Sequence, residues 1–585
     1  MKHFITIGSI LFILAATVWF FCLHASPLVI SPETTYITAP LMPDGKRIDY
    51  FRAWEERAYP PEMKTDDNGY RILVRAIGDP NNYSEIGFGD KRGKDEFTML
   101  ELDPVSLRLQ VYEKLGLDPS VPTTMKIECP YAFMGRYIEE HPEAAEQWWR
   151  VGMYRLGRPW TLDDLPQFKD WIAENEAGLN LLGEAVRQPV FRAPEVRNSK
   201  DETLLDMSGR LGRSQIFRNF ARAVQARALY RTGIGDIDGA IDDVITSYLL
   251  ARHVSNHRTH VDYLVGIAIE SMAVSIHFGA NPAAPPSRAQ LQRLFDTIRA
   301  LPPLPKIEDF MVVERFQALS VLQEFALGRK LEGYQGLAYG PWCAEVDWNF
   351  LFREMNRVFD TIIAGGEVET PWAMDIGDML AGRQNDLVLW SESQPPVKST
   401  VQERTEFVRD VFFSLWVPSS QMELVRHAER RRQCTENLKL LTLALLLYEK
   451  DHGKLPDGDW RVAVKLYLGD NANKYFRCPS GSAAEDETTY AMIRRTSGVM
   501  PHAPYTLLLV EVFPPMKMTG NDGTIPEAKA VYSWRTGEQP PEGVGSNHAG
   551  GFNISSRGGA VRFISTSASP AQWKALMEGT LADGL

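Results

Sequence analysis

Residues Glu423–Gly453 read ELVRHAERRRQCTENLKLLTLALLLYEKDHG, and this stretch decides the fold of the C-terminal part of the chain. Its apolar side chains recur at steps of four, three, four and three, at Cys434, Leu438, Leu441, Leu445 and Tyr448. That spacing places them on one face of an α-helix. Further leucines widen the apolar surface, at Leu440, Leu443, Leu446 and Leu447. The stretch therefore predicts a long helix whose second half is buried on more than one side.

The two ends of this predicted helix differ in character. Its first half carries four arginines between residues 426 and 432, which we expect to be solvated. At the other end, a glycine can adopt the left-handed conformation that terminates a helix, and a proline soon afterwards prevents the helix from resuming. Gly453 and Pro456 hold these positions, so the helix should end there.

The apolar periodicity changes after the helix. Several short runs are typical of β-strands, namely Tyr490–Met492, Tyr505–Val512, Val531–Trp534, Phe552–Ser555 and Ala560–Ile564. The last two flank Ser556–Gly559, whose glycines permit the positive φ of a hairpin turn. A long helix followed by antiparallel strands predicts an α+β unit.

Three segments of this region resemble the pilin-like proteins of the H-x9-DG class, which pair a pseudopilin-type helix with a small sheet. They are ENLKLLTLALLLYEKDHGKLP, then CPSG at Cys478–Gly481, then HAGGFNISSRGGAVRFIS, which begins at His548. The resemblance runs from about Met422 to the C-terminus, and it implies a pilin-like domain and a cell-envelope setting. The family has an Asp-Gly turn where this chain has Gly558-Gly559, so any role of that aspartate is absent here.

An apolar segment lies near the N-terminus. Phe4–Leu23 contains no charged residue and has the length, about 20 residues, that a helix needs to cross a bilayer. Lys2 precedes it and no basic cluster follows, which predicts a cytoplasmic N-terminus and an extracytoplasmic remainder. An uncleaved single-pass anchor and a signal peptide cleaved near Ala25 are the alternatives, and the bulky Trp19–Phe21 end favours the anchor.

Length and composition set the overall organisation. A chain of 585 residues exceeds a single core, which predicts an α+β multidomain protein. Its hydrophobic share of 44% and charged share of 24% are those of an ordinary globular protein. The net charge of −12 argues against nucleic-acid binding, which needs a positive surface.

We expect a transmembrane anchor or signal peptide at 1–25, an irregular entry region at 26–139, a helical domain at 140–390, a linker at 391–418 and the pilin-like α+β domain at 419–585.

The central domain should be mainly helical and partly tetratricopeptide-like. Ile216–Tyr230 and Asp236–Ala251, separated by a Gly233–Gly235 turn, resemble one tetratricopeptide-type helical pair. Further amphipathic helices are predicted at Val261–His277, Ile307–Leu327 and Val346–Ile363. In the entry region, Tyr70–Ala76 and Phe97–Leu102 read as short strands.

The cysteines suggest one covalent link. Cys22 lies in the apolar segment, whereas Cys129, Cys343, Cys434 and Cys478 would lie outside the cytoplasm, where disulfides persist. We expect Cys434 and Cys478 to pair because the long helix and the following loop belong to one small unit. Two buried thiols are the alternative. No C-x-x-C occurs, which argues against a thiolate zinc site.

Two other places offer metal-ligand residue types. His253 and His257 are four residues apart, the spacing that places two ligands on one face of a helix, and histidines at an exposed helix end are the alternative. Asp522 in the turn Asn521–Gly523 is a candidate calcium ligand. A plain turn is the alternative, because calcium needs about six to eight oxygen ligands. We otherwise expect no cofactor.

Catalytic motifs are missing from the sequence. There is no G-x-S-x-G, H-E-x-x-H or phosphate-binding glycine loop, and we interpret His548 as structural. Gly8 stands where a polymerising pilin would carry glutamate, which argues against a filament subunit. The sequence favours a non-enzymatic envelope protein whose helical surface binds envelope or secretion proteins. The alternative is an exported hydrolase of glycans or peptides, which a pocket of convergent titratable groups would indicate.

Overall fold

The structure is a computed structural model that describes residues 27–79, 104–197, 207–257, 259–327, 346–366, 400–416, 419–481, 483–494, 504–518, 522–526, 543–548, 550–565, 568–569 and 573. It is mainly helical, with a small, largely antiparallel sheet near the C-terminus. Within these ranges, every helix is too short or too polar to cross a bilayer. The apolar segment 4–23 and the predicted strands Phe97–Leu102 and Val531–Trp534 lie outside the described residues.

The predicted irregular entry region contains helices. They are α1 (Tyr50–Ala58), α2 (Gly69–Ile77), α3 (Pro104–Leu115) and α4 (Pro130–Glu140). The predicted strand Tyr70–Ala76 is therefore wrong. Its apolar residues Tyr70, Leu73 and Val74 are buried together, which is the spacing of one helical face, and the Asn68 side chain caps the helix by accepting from the Tyr70 N–H.

The centre of the chain continues as helices after short helical turns between residues 142 and 168. The Asp236 side chain caps α7 (Ile237–Ser255), and the Thr259 side chain caps α8 (His260–Val274). Helices α6 and α7, the predicted pair, pack against each other. Helix α12 lies within the predicted linker. The helices are α5 (Lys169–Ala185), α6 (Met207–Ile234), α7 (Ile237–Ser255), α8 (His260–Val274), α9 (Arg288–Ala300), α10 (Ile307–Ala326), α11 (Trp348–Ile363) and α12 (Val401–Trp416).

The long predicted helix is α13 (Ser419–His452), and α14 (Trp460–Leu468) follows it. Gly453 has φ of +75° and its N–H donates to the Glu449 carbonyl, so it ends the helix as predicted. The second half of α13 is buried in a core that it shares with α8, α9 and the sheet. Its first turns contribute Met422 and Val425 to a second core, formed mainly by α1, α10 and α11. Both cores therefore cross the predicted domain boundary at residue 419.

The sheet follows α14 in the order β3-β1-β2-β5-β6, with β4 paired to β2. All pairs are antiparallel except β1 with β3. Along β1, Tyr490 and Met492 belong to the core that includes α13, whereas Ala491 and Ile493 belong to a separate core on the other face. The strands are β1 (Glu487–Arg494), β2 (Leu507–Lys517), β3 (Thr524–Pro526), β4 (Gly543–Val544), β5 (Gly551–Ser556) and β6 (Val561–Ser565).

The predicted hairpin is present as β5 and β6, and its turn contacts the helical region. Gly559 has φ of +82°, and a Cβ there would lie 2.4 Å from the Phe278 ring, so glycine is required on both counts. A Cβ at Gly558 would lie 2.9 Å from the Pro504 carbonyl oxygen. The Gly279 N–H donates to the Gly558 carbonyl at 3.1 Å. The glycine pair that replaces Asp-Gly therefore lets the turn approach the segment after α8.

A buried lysine of α13 lies beneath this turn. Lys439 is fully buried, and its ammonium donates to the Gly559 carbonyl at 2.5 Å and to the Val274 carbonyl at 3.5 Å. Burial lowers the pKa of Lys439 to about 7, because a low-dielectric interior disfavours the charged form. One side chain thus connects the helix, the hairpin and α8.

We expect Lys439→Met to change how the stability of the protein depends on pH. The folded-state pKa of about 7 lies below the unfolded value of about 10.4, so the unfolded chain binds more protons between them. This group therefore makes the wild type more stable as pH rises through that window. The free energy of unfolding of the wild type, relative to Lys439→Met, should increase by about 2 kcal/mol between pH 7 and pH 9.

Urea unfolding at several pH values measures this difference, and the other titrating groups cancel in it. Lys450→Met is the matched control, because Lys450 lies on the same helix and is exposed. Its difference from the wild type should stay constant over the same pH range. If the difference in unfolding free energy between Lys439→Met and the wild type did not change with pH, the Lys439 ammonium would not lie in a low-dielectric site.

Candidate functional site

Four buried residues from separate elements converge beside α13. Cys434 lies on α13, Cys478 follows the helical turn Ala472–Phe476, Glu511 lies on β2, and His548 lies between β4 and β5. One donor atom from each residue lies within 4.8 Å of every other, and all four residues are buried. We call this group the cysteine–histidine–glutamate cluster.

The two cysteines of the cluster are the pair that the sequence predicts. Cys434 and Cys478 are joined as a disulfide, with Cα atoms 5.2 Å apart. The Tyr490 hydroxyl donates to the Cys434 sulfur at 3.1 Å, and the Ser480 N–H donates to the Cys478 sulfur at 3.4 Å. Each sulfur of the pair therefore accepts a hydrogen bond from a neighbouring group.

His548 is held in a defined orientation. Its Nε2 atom lies 3.4 Å from the Cys478 sulfur and 3.3 Å from Glu511 Oε1. The other ring nitrogen, Nδ1, lies 3.1 Å from the Ser480 hydroxyl oxygen, and the backbone N–H donates to the Ser546 hydroxyl. The imidazole therefore points Nε2 at the sulfurs and the carboxylate.

Glu511 is a carboxylate with no exposed surface. Its Oε2 atom accepts from the Asn553 backbone N–H at 2.5 Å and from the Asn553 side-chain amide at 3.3 Å. Its Oε1 atom accepts no hydrogen bond within the described part of the chain, although it lies beside His548. A buried carboxylate oxygen needs a hydrogen-bond donor or a cation, so Oε1 marks the polar centre of the cluster.

The chemistry that this cluster can support is limited by its enclosure. The adjoining cavity has a volume of about 10 Å³, which is about the minimum for one water molecule and too small for a substrate. With the cysteines oxidised, the cluster is a disulfide beside a His548–Glu511 pair. With them reduced, it is a set of two sulfur, one nitrogen and one oxygen donors that can hold a metal ion.

The histidines predicted as weak metal candidates lie elsewhere, in the core of the helical region. His253 Nε2 donates to the Val186 carbonyl at 2.9 Å, and His257 Nε2 donates to the Phe191 carbonyl at 3.1 Å. Each ring packs in a tilted arrangement against a phenylalanine ring, and burial lowers the pKa of each imidazole. The two histidines at this i, i+4 spacing are therefore neutral core residues at the end of α7. The Nε2 atom of each donates a hydrogen bond to a backbone carbonyl.

Asp522, the calcium candidate, forms a local turn. Its Oδ1 atom accepts from the Thr524 N–H at 3.1 Å and from the Thr524 hydroxyl at 2.6 Å. Asn521, which precedes it in the predicted turn, lies outside the described residues. A calcium role for Asp522 therefore stays a prediction.

Sequence reasoning missed Glu511 and the partnership of His548 with the two cysteines. The cluster combines residues up to about a hundred positions apart, so no local spacing such as C-x-x-C reveals it. One signal was available. The CPSG segment and the segment that begins at His548 both belong to the pilin-like resemblance, and the structure brings them together.

A second polar group joins α13 to the helical region. The Arg432 guanidinium contacts Glu270 on α8 at 3.1 Å and Glu429 at 3.0 Å, and it also contacts Glu436. Arg252 on α7 contacts the other oxygen of Glu270 at 2.7 Å. Burial alone would lower the pKa of Arg432, but these carboxylates outweigh it and raise that pKa. The prediction that this arginine is solvated is wrong, because carboxylates of α8 and α13 compensate its burial.

This ion network lines one side of a cavity of about 480 Å³ between α13 and the segment 301–307. Several of its charged lining residues are held in ion pairs, because Arg432 contacts Glu429 and Glu436, and Arg252 contacts Glu270. A catalytic acid or base must instead be able to face a substrate. This wall of the cavity is therefore a structural ion network. None of the ion pairs described here offers a group that could transfer a proton to or from a substrate.

Comparisons with known proteins bear on the same helix. Residues 424–466 match the model of a family described as a protein of unknown function (DUF1559), a family associated with pilin-like proteins. The matched stretch covers most of α13 and most of α14. No curated protein and no solved structure matches the chain. The match agrees with the pilin-like resemblance of the C-terminal region.

We expect Arg432→Met to destabilise the protein by about 3 kcal/mol. That value is at the lower end of the cost of breaking a buried ion pair, because Arg252 would still contact Glu270. Urea unfolding measures the change. Arg430→Met, on the same helix but only partly buried, should cost less than about 1 kcal/mol.

The double variant Arg432→Met with Glu270→Met separates the two parts of that cost. Because Arg432→Met and Glu270→Met both break the same contact, the double variant should cost less than the sum of the two single variants. Unchanged stability in Arg432→Met would contradict the assignment of this network as the link between α13 and the helical region.

Proposed function

We propose that this chain is a single-pass, membrane-attached protein of the cell envelope, and that its exported part is a non-enzymatic scaffold for envelope or secretion proteins. The observation that supports this best is the enclosure of α13 by its own chain. The helix packs on α8 and α9 and also on β5 and β6. The membrane attachment rests on the apolar segment 4–23, and the envelope setting rests on the pilin-like resemblance.

The enclosure of α13 favours a self-contained body over a filament subunit. A subunit that polymerises head to tail needs complementary patches that remain free for its neighbours. In this chain, residues Cys434–Leu447 of the helix are mostly buried against intramolecular partners. The helical region thus occupies the surface that another subunit would need on this part of the helix.

The cavities beside α13 favour binding over hydrolysis. Ion-paired side chains form one wall of the cavity between α13 and the segment 301–307. A second cavity, also of about 480 Å³, lies beside the sheet. The charged residues that line the second cavity are Arg158, Arg431 and Arg562. Arginine stays protonated at physiological pH, so it binds anionic or polar groups but does not act as a general acid or base.

A fusion of alkaline phosphatase to the C-terminus tests the membrane topology, because this enzyme folds only outside the cytoplasm. The full chain should give active phosphatase that stays with the membranes after alkaline carbonate extraction. A chain without residues 2–26 should give inactive phosphatase in the soluble fraction. An inactive full-chain fusion would contradict the proposed export.

Cross-linking of the tagged full chain in intact cells of its host, followed by mass spectrometry, tests the scaffold role. We expect cross-links from the helical region to other envelope or secretion proteins. The detergent-purified full chain should not release products from cell-wall glycan or peptides. Reproducible turnover of either material would replace the scaffold with the hydrolase alternative.

A further inference from the structure

We propose that Cys434, Cys478, Glu511 and His548 form a closed zinc-type metal site when the two cysteines are reduced. The same two sulfur atoms would then either close a disulfide or hold the ion. The residues come from α13, the loop before β1, β2 and the segment before β5, so one ion would connect four separate elements.

The donor set fits zinc. Two thiolates, an imidazole and a carboxylate suit a borderline-soft divalent cation, and tetrahedral coordination by sulfur and nitrogen is typical of Zn²⁺. Zinc–ligand bonds of about 2.0–2.3 Å place neighbouring donor atoms about 3.3–3.8 Å apart in a tetrahedron. His548 Nε2 lies 3.4 Å from the Cys478 sulfur and 3.3 Å from Glu511 Oε1, within that range.

The second observation is the state of the Glu511 carboxylate. It has no exposed surface, and its Oε1 atom accepts no hydrogen bond within the described residues. Asn553 holds the other oxygen with two donors, so Oε1 is directed toward His548 and the sulfurs. A divalent cation there would compensate the carboxylate, whose burial is otherwise unfavourable.

The residues around the four ligands are arranged as a metal site requires. Ligating histidines usually bond their remote nitrogen to a polar group, and Ser480 Oγ lies 3.1 Å from His548 Nδ1. The Tyr490 hydroxyl and the Ser480 N–H donate to the two sulfurs. Protein side chains supply all four ligands, so the site is closed and structural, with no position for a substrate.

The redox and proton balance of this exchange is simple. The newly made chain carries both cysteines as thiols, and binding of Zn²⁺ displaces their two protons. A thiol–disulfide oxidant that accepts two electrons would form the disulfide and release the ion. In the test tube, a phosphine reverses the oxidation, because it takes oxygen from water to become the phosphine oxide and leaves two thiols.

The test uses the detergent-purified full chain in two redox states. The phosphine-reduced chain and the oxidised chain are each incubated with Zn²⁺ and desalted. Inductively coupled plasma mass spectrometry then measures the zinc that stays bound to each chain. We expect one zinc per reduced chain and none in the oxidised chain. X-ray absorption spectroscopy at the zinc edge of the reduced chain should show two sulfur atoms bound to the zinc ion.

Variants locate the ion within the chain. Cys434→Ser and Cys478→Ser should lose the zinc, and Cys129→Ser should retain it, because Cys129 is a buried free thiol outside the cluster. Ser480→Ala should lower zinc affinity about 10- to 100-fold through the orientation of His548. Glu511→Gln should also bind more weakly.

Cobalt substitution tests the site in the wild-type chain, so the test does not depend on whether a cysteine variant folds. Reduced wild-type chain loaded with Co²⁺ should show thiolate charge-transfer absorption and the strong visible bands of tetrahedral cobalt, and oxidation should abolish both. A reduced chain that binds no metal would overturn the proposal. Zinc bound without sulfur neighbours, or equally by folded Cys434→Ser, would overturn it as well.

Discussion

The packing of α13 on both sides is the constraint on which the rest of the structure depends. The helix spans Ser419–His452, and the buried leucines of its second half contact the helical region on one side and the sheet on the other. An amphipathic surface helix buries one stripe, whereas this one buries most of its circumference. Removal of either layer would expose several large apolar side chains to water, at a cost of about 1.5–3 kcal/mol for each.

The burial of α13 on both sides also encloses several of its polar side chains. Arg432, Cys434 and Lys439 all project from α13, and each makes contacts outside it. Arg432 contacts carboxylates of α8, Cys434 is bonded to the loop before β1, and Lys439 binds the hairpin turn. Polar pairs of this kind add little net stability, and leaving either partner buried without the other is costly.

Much of this architecture could be predicted from the sequence, because local signals and the fold agree. The apolar spacing of α13, the glycine after it and the glycine hairpin all describe elements that the structure contains. The entry region could not be predicted in the same way. Tyr70–Ala76 is short and rich in residues that suit both strand and helix, and the burial of Tyr70, Leu73 and Val74 on one face decides for helix.

The candidate site was predictable only in part, for a different reason. The Cys434–Cys478 pair follows from two cysteines in one small unit, but Glu511 looks like any polar residue of a strand. Its role depends on the tertiary fold, which brings β2 together with α13 and the segment that carries His548. Arg432 was misjudged similarly, because the compensating Glu270 lies more than a hundred residues away on α8.

Hydrogen exchange of the full chain in increasing urea tests the central claim most directly. If α13 is the shared core of both layers, amides of Cys434–Leu447, of α8 and of β2 should lose protection together at one urea concentration. The account would be contradicted if the sheet and α13 stayed protected after α8 had opened, or if α8 stayed protected after α13 and the sheet had opened.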